Sequence, residues 1–236
     1  MPAAGRPHVR SVAFLAVLAW LMCTQGAQAD MSLDRSILTF DAHGSPRQDV
    51  EITNTGSENL YLETEILRVS QPGTDAETRE RVLDPDAIDL LVTPARLIVP
   101  PGARRLLRVV NLGEPADVDR IYRINVRPVV GPLEAETTAV KVVIAYQLLV
   151  ILRPVDPRPE LAWERNGRQI TFSNTGNSNV LLFNGVQCPP AGGDCVELNR
   201  AQRLYAGNSW TLELPLDAAV EFTTGIGQRN ARQRFD

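Results

Sequence analysis

The sequence predicts an all-β protein built from two β-sandwiches joined end to end. Three observations carry this reading. Short alternating apolar–polar segments recur between turn signals from Asp30 to the C-terminus, and none keeps a helical period. The run Arg153-Pro154-Val155-Asp156-Pro157-Arg158-Pro159 divides the chain with repeated prolines, which make a semi-rigid connection. The stretch Thr53-Asn54-Thr55-Gly56-Ser57-Glu58-Asn59 is echoed by Ser173-Asn174-Thr175-Gly176-Asn177-Ser178-Asn179, each just before an apolar segment. Asn-Thr-Gly is ordinary turn chemistry, so the echo gains weight only beside the proline division.

Taken in order, the chain opens on an export signal over residues 1–29. Arg6 and Arg10 supply the charged start, Ser11 to Cys23 the apolar segment, and Ala27-Gln28-Ala29 a small-x-small cleavage site. Trp20-Leu21-Met22 before Cys23 lacks the small residues that lipoprotein processing requires. Alternation then marks Ser32–Phe40, Asp49–Thr53 and Leu60–Ile66 as strands, with turns at Asp41–Pro46 and Asn54–Gly56. Ser70–Asp89 reads as a long polar excursion, holding Pro72-Gly73 and Asp84-Pro85. Leu90–Val99 and Arg105–Val110 flank the turn Pro100-Pro101-Gly102, and Ile121–Arg127 follows with Tyr122, Ile124 and Val126 inward.

The longest apolar run beyond the signal is Thr137–Leu152, closed by Arg153-Pro154. Its β-branched residues favour a strand, and it is shorter than the roughly 20 apolar residues a membrane helix needs. As a strand it reads as apolar on both faces, with Val140, Val142, Ile144, Tyr146 and Leu148 on one and Val143, Ala145 and Gln147 on the other. Such a strand belongs between two packed layers, or at an edge that another chain covers. Beyond the prolines, Ala162–Glu164, Gln169–Phe172, Val180–Phe183, Trp210–Leu214 and Val220–Phe222 continue the strand pattern. The expected organisation is signal 1–29, a first sandwich 30–153, a hinge 154–159 and a second sandwich 160–236.

A net charge of −4 argues against nucleic acid or anionic lipid as the main partner, and no segment beyond the signal would embed the chain in a membrane. Lys141 is the sole lysine, so the remaining cations are arginines suited to bidentate carboxylate recognition. His43 is the one histidine outside the signal and lies in a turn, with no Ser-His-Asp or Cys-His set around it. No phosphate loop and no paired-histidine spacing occurs, so neither an enzyme, a cofactor nor a metal is expected. Cys188 and Cys195 enclose Pro-Pro-Ala-Gly-Gly-Asp, which in an exported protein reads as a disulfide; two thiolates without histidine are too few ligands for a metal.

These motifs together resemble the periplasmic chaperones of the chaperone–usher pathway that assembles bacterial pili. Ser32-Leu33-Asp34-Arg35 and Phe40-Asp41 look like that family's first strand. Thr93-Pro94 with Val99-Pro100-Pro101-Gly102-Ala103 and Leu107-Arg108-Val109 looks like its Pro-Gly turn. Tyr122–Arg127 and Val140–Pro154 resemble its last two strands. The resemblance implies two immunoglobulin-like sandwiches in a boomerang, residence in the periplasm, pilin subunits as ligands and an outer-membrane usher as a second partner. It also implies that Val140, Val142, Ile144 and Tyr146 form a donor strand completing an unfinished pilin sandwich. One departure stands out. Family members hold the pilin's C-terminal carboxylate with an arginine on the first strand and a lysine on the last, and those positions here are Ile37 and Leu149. Antiparallel pairing of the last two strands makes Arg123, then Arg120, the candidate replacements. Arg153 is expected to brace the two domains, with Asp119 as its partner. The competing reading, a secreted tandem-sandwich adhesion or carbohydrate-binding module, would call for exposed aromatic platforms, and aromatics are scarce at 6%.

A bridge across the Cys188–Cys195 loop should contribute about 2–3 kcal/mol by restricting the unfolded chain. Both thiols are expected to resist alkylation until a reductant is added, and two freely alkylating thiols in exported protein would refute the bridge.

Overall fold

A computed structural model describes residues 31–82, 84, 88–129, 144–227 and 229–236. The expected signal, the connection 131–136, Val140 and Val142 lie outside the described residues. The first part of the chain forms β1 (Met31–Leu33), β2 (Ile37–Phe40), β3 (Arg47–Asn54), β4 (Leu60–Ser70) and β5 (Thr78–Arg81). It continues with β6 (Leu90–Thr93), β7 (Arg96–Val99), β8 (Arg104–Asn111), β9 (Arg120–Pro128) and β10 (Tyr146–Leu152). One sheet runs β1-β3-β8-β6; the other runs β2-β10-β9-β4-β5, with β7 also on β4.

The inward residues follow the period-two pattern. Val50 and Ile52 of β3, Leu107 and Val109 of β8, Tyr122, Ile124 and Val126 of β9, and Leu148, Val150 and Leu152 of β10 fill one core between the sheets. Two expected single strands are split. Ser32–Phe40 divides because Asp34 turns the chain: its Oδ1 accepts the Glu51 N–H at 2.8 Å and its own N–H reaches Glu51 O at 3.1 Å. Thus β1 joins one sheet, and β2 runs parallel to β10 in the other. Leu90–Val99 divides at the cis Thr93–Pro94 bond, with β6 and β7 in opposite sheets. The polar excursion is also more ordered than expected, because β4 extends to Ser70 and folds back on β5 as a hairpin arm.

The second part forms β11 (Leu161–Asn166), β12 (Gln169–Asn174), β13 (Val180–Gln187), β14 (Val196–Leu198) and β15 (Gln202–Leu204). It ends with β16 (Ser209–Glu213), β17 (Val220–Ile226) and β18 (Arg229–Phe235). A sheet β11-β12-β16 faces a sheet β14-β13-β17-β18 that also carries β15 on β13. Phe172, Phe222 and Phe235 centre its core, and Phe172 meets the other two edge-on at 5.6 and 4.9 Å between ring centroids. Cys188 and Cys195 are joined, with an S–S distance of 2.04 Å.

The sequence echo is a structural repeat. Asn54, almost fully buried, donates through Nδ2 to Glu58 O and Val99 O at 2.7 Å each, and its Oδ1 accepts the Gly56 N–H at 2.9 Å. Asn174 donates to Ser178 O at 2.8 Å and Leu204 O at 2.9 Å, and accepts from Gly176 at 3.0 Å. Gly102 and Gly207, at φ of 68° and 78°, donate their N–H groups to the Asn54 and Asn174 carbonyls respectively. A left-handed turn of this kind favours glycine. Each asparagine therefore ties one sheet to the next turn in its own domain.

Because each such hub satisfies three backbone groups, Asn174→Ala should lower the urea unfolding free energy by about 2–4 kcal/mol. A loss below about 0.5 kcal/mol would show that water replaces the side chain.

Candidate functional site

The outer face of the β2-β10-β9-β4 sheet carries the residues the sequence points to, arranged in rows across the register. Ile37, Leu149, Arg123 and Leu67 lie side by side on β2, β10, β9 and β4. The two positions where the family resemblance calls for cations, Ile37 and Leu149, are thus direct neighbours, and Arg123 sits on the next strand. Strands are about 4.8 Å apart, so the nearest cation is displaced by roughly one strand from Leu149. One row toward the hinge lie Ile151, Ile121 and Val69. With Leu149 they pack against Tyr205 of the second domain as a buried apolar cluster. One row the other way, Gln147 donates to Asn125 Oδ1 at 2.8 Å, and Asn125 donates to Glu65 Oε2 at 3.1 Å. The Asn125 bond, aided by Arg81 and Arg127 against burial, holds the Glu65 carboxyl below its usual range.

The arginines divide sharply by what they hold. Arg127 pairs with Glu63 at 2.6 Å. Arg120 pairs with Asp89 at 2.8 Å and donates to Glu114 O, so its charge is already compensated. Asp89 also takes Arg68 at 2.7 Å and the Tyr122 hydroxyl. Burial, reinforced by that hydroxyl bond, pushes the Tyr122 phenol up to about 12. Burial alone would raise the Asp89 carboxyl, but Tyr122, Arg120 and Arg68 outweigh it and hold it low. Arg123 differs in forming no ion pair among the described residues; its Nε, like those of Arg68 and Arg120, is buried without a partner. Arg203 on β15 donates to Asn179 Oδ1 and forms no direct ion pair among the described residues. Burial pushes the Arg203 pKa down, outweighing the opposing influence of Tyr205 and Asp119, and the Arg123 charge adds to the downward push. No sequence signal singled out Arg203. Its position opposite the core residue Leu204, in alternation with Tyr205, acquires meaning only when β15 docks against the first sandwich.

The domain junction is polar beside this apolar patch. Arg153 pairs with Asp41 at 3.1 Å and approaches Ser178 Oγ at 3.3 Å. Asp119 accepts from Ser178 Oγ at 2.9 Å, from the Asn179 N–H at 2.7 Å and from Asn179 Nδ2 at 2.6 Å. The expected direct Arg153–Asp119 pair is therefore corrected. Both residues sit at the junction, but they meet through Ser178, and the carboxylate on Arg153 is Asp41. Asn177 completes the junction by donating to Asp117 O at 2.9 Å and Asp156 O at 3.0 Å. The β4–β5 arm reaches the second domain too, where Asn208 Nδ2 donates to Pro72 O at 2.7 Å.

Of the expected donor residues, Ile144 is described and 42% exposed. Tyr146 needs correction: its ring packs on the first domain's own core and its hydroxyl donates to Met31 O at 2.9 Å, so it is not free for another chain. The inward face of β10 from Tyr146 onward is used internally.

Comparison with known proteins gives a consistent result. A model of the family described as pili and flagellar-assembly chaperone, PapD N-terminal domain, matches residues 30–157. The chain is similar in fold to a structure of Salmonella enterica SafA pilin in complex with the SafB chaperone, at TM-score 0.65 and 14% identity, covering 89% of this chain and 97% of that one. It is similar to the E. coli chaperone DraB at TM-score 0.62 and 16% identity, covering 87% and 96%. It is similar to the Pseudomonas aeruginosa CupB2 chaperone at TM-score 0.58 and 14% identity, covering 86% and 98%. No curated protein matches the chain. With more than half of its length matched by the family model and both sandwiches shared with fimbrial chaperones, the chain belongs to the pilus-assembly chaperone family, whose members are chaperones and not enzymes.

Proposed function

We propose that this chain is exported to the periplasm, binds pilus subunits by lending them its donor strand, and delivers them to an outer-membrane usher. The observation that carries this reading is the outer-face row Ile37–Leu149–Arg123, where an unpaired arginine stands beside the two positions at which the family places its cations. An exported unfinished sandwich exposes an apolar groove where a strand is missing. Main-chain bonds along the segment leading into β10 would supply the strand, and Val140, Val142 and Ile144 would fill the groove. Each such side chain contributes about 1.5–3 kcal/mol if fully buried, before the cost of association. Tyr146 is excluded from the set by its contacts with the first domain's core.

Arg123 would fix the register of that pairing. A terminal carboxylate held there lies level with Leu149, five residues from Ile144, or about 17 Å along a strand. Burying that carboxylate requires a paired cation, and Arg123 supplies two parallel donors at small conformational cost. Arg120, held by Asp89, is the weaker candidate.

Two results test this function. Ile144→Asp should abolish formation of a soluble one-to-one complex with a co-expressed pilin subunit while leaving the thermal midpoint of the free protein within about 2 °C. Global unfolding of that variant would place the segment in the protein's own core and sink the donor assignment. In addition, Arg123→Ala should weaken subunit binding about tenfold or more, whereas Arg127→Ala, whose side chain pairs with Glu63, should not. Equal, near-native binding by both would remove the anchor from Arg123.

A further inference from the structure

We propose that the β4–β5 arm is a clasp, closed over the outer face of the β4-β9-β10 sheet in the free protein, which must lift before a subunit docks there. The consequence for subunits rests on the function proposed above, while the closure itself follows from the arm's own bonds. Three observations carry it.

The first is the path of Arg79. Within the sheet, β9 and β4 separate β10 from β5, yet Arg79 Nη1 on β5 donates to Gln147 Oε1 on β10 at 3.1 Å. Arg79 stands opposite Val69 on β4, and Gln147 stands opposite Asn125, whose β4 neighbour is Glu65. On a flat sheet those positions lie about 20 Å apart, beyond the combined reach of the two side chains. The arm therefore curls over the outer face. A diagonal between its two ends passes β4 near Leu67 and β9 near Arg123, which are paired across the register.

The second observation is that the acceptor is oriented in advance. Glu65 accepts Asn125 Nδ2 at 3.1 Å, Asn125 Oδ1 accepts Gln147 Nε2 at 2.8 Å, and Gln147 Oε1 is thereby left to accept from Arg79. Each amide has one donor end and one acceptor end, so orientation passes from one to the next. Arg81 of the same arm binds Glu65, where that row begins. The arm's two arginines thus grip both ends of a single polar row across β4, β9 and β10.

The third observation is how lightly the arm is held elsewhere. At its tip, Asn208 Nδ2 of the second domain donates to Pro72 O at 2.7 Å. Gly73, at φ of 74°, packs so near that a Cβ would lie 2.8 Å from Asn208 Nδ2 and 3.1 Å from the Tyr205 ring. Within the arm, Glu77 accepts the Gly73 N–H at 2.8 Å and pairs with Arg79 at 2.7 Å, so the tip keeps its shape as a unit. All of β5 is exposed, and no described residue from Ser70 to Arg81 joins a core cluster. A segment held by exposed side-chain bonds and no apolar core opens while the rest stays folded.

The test uses the full-length exported protein. Arg79→Ala removes the donor of the clasp, and Gln147→Ala removes its acceptor while leaving the Arg79–Glu77 pair. One measurement needs no subunit: limited modification with phenylglyoxal, located by peptide mass spectrometry, reports how open each arginine is. Arg123 should react about fivefold faster in both variants than in wild type, with Arg104 on the opposite sheet unchanged and the thermal midpoint within about 2 °C. The other measurement is the rate at which each protein captures an unfolded pilin subunit on rapid dilution, which should rise about fivefold in both variants. Unchanged Arg123 reactivity in either variant overturns the clasp and leaves the chaperone reading standing. Raised reactivity with unchanged or slower capture overturns its action as a gate. A wild-type protein that captures no subunit overturns the gate together with the function it rests on, and the Arg123 reactivity tells that failure from failure of the clasp.

Discussion

Burial of β10 on both faces is the constraint on which the rest of the molecule depends. Leu148, Val150 and Leu152 fill the first sandwich, while Leu149 and Ile151 on the opposite face pack under Tyr205 of the second. Five consecutive side chains thereby fix the strand, the hinge that follows it and the seat of the second domain in one step. The backbone is held on both sides, by β2 in parallel and β9 in antiparallel pairing. Such a strand cannot slip by one residue, because the slip would exchange the core face for the junction face. What precedes it is held differently: Ile144 is partly exposed and lies beyond the last residue paired with β9.

Charge is distributed with the same division of labour. On the outer faces, cross-strand arginine–carboxylate pairs such as Arg108–Asp49 and Arg127–Glu63 decorate strands whose other side is core. Exposed pairs of this kind contribute little to stability individually, and they blunt the surface against unwanted strand pairing. At the junction, Arg153, Asp41, Ser178, Asp119 and Asn179 form one network across both domains. Arg123 and Arg203 stand between these two regimes, near the junction yet outside its ion pairs.

The repeated asparagine hub shows how two related sandwiches acquire different tasks. Asn54 and Asn174 make the same bonds to the same kinds of backbone group. The residues following them diverge. In the second domain, Asn177, Ser178 and Asn179 keep the turn and add side chains that reach Asp117, Asp156 and Asp119. The conserved geometry of the hub gives that docking loop a rigid base.

Much of this was legible in the sequence because it depends on local chemistry. Alternation of apolar residues located most strands, and the Asn-Thr-Gly echo marked equivalent turns. The type and face of Arg123 followed from strand alternation alone. Other features were decided only by tertiary structure, and each involves partners far apart in the chain. Asp34 split the first strand by bonding Glu51. The polar excursion became an arm because it pairs with the end of β4 and meets Asn208. Tyr146 turned inward because Met31 O lies within its reach, and Arg153 took Asp41 because the hinge brings them together. Arg120 and Arg123 look alike in sequence, yet Asp89 pairs with one and no carboxylate among the described residues forms an ion pair with the other. Arg203 had no signature at all, since a polar–apolar alternation of three residues says nothing about what the polar side faces. Periodicity assigns a side chain to a face, but only the packing of two domains determines what stands opposite.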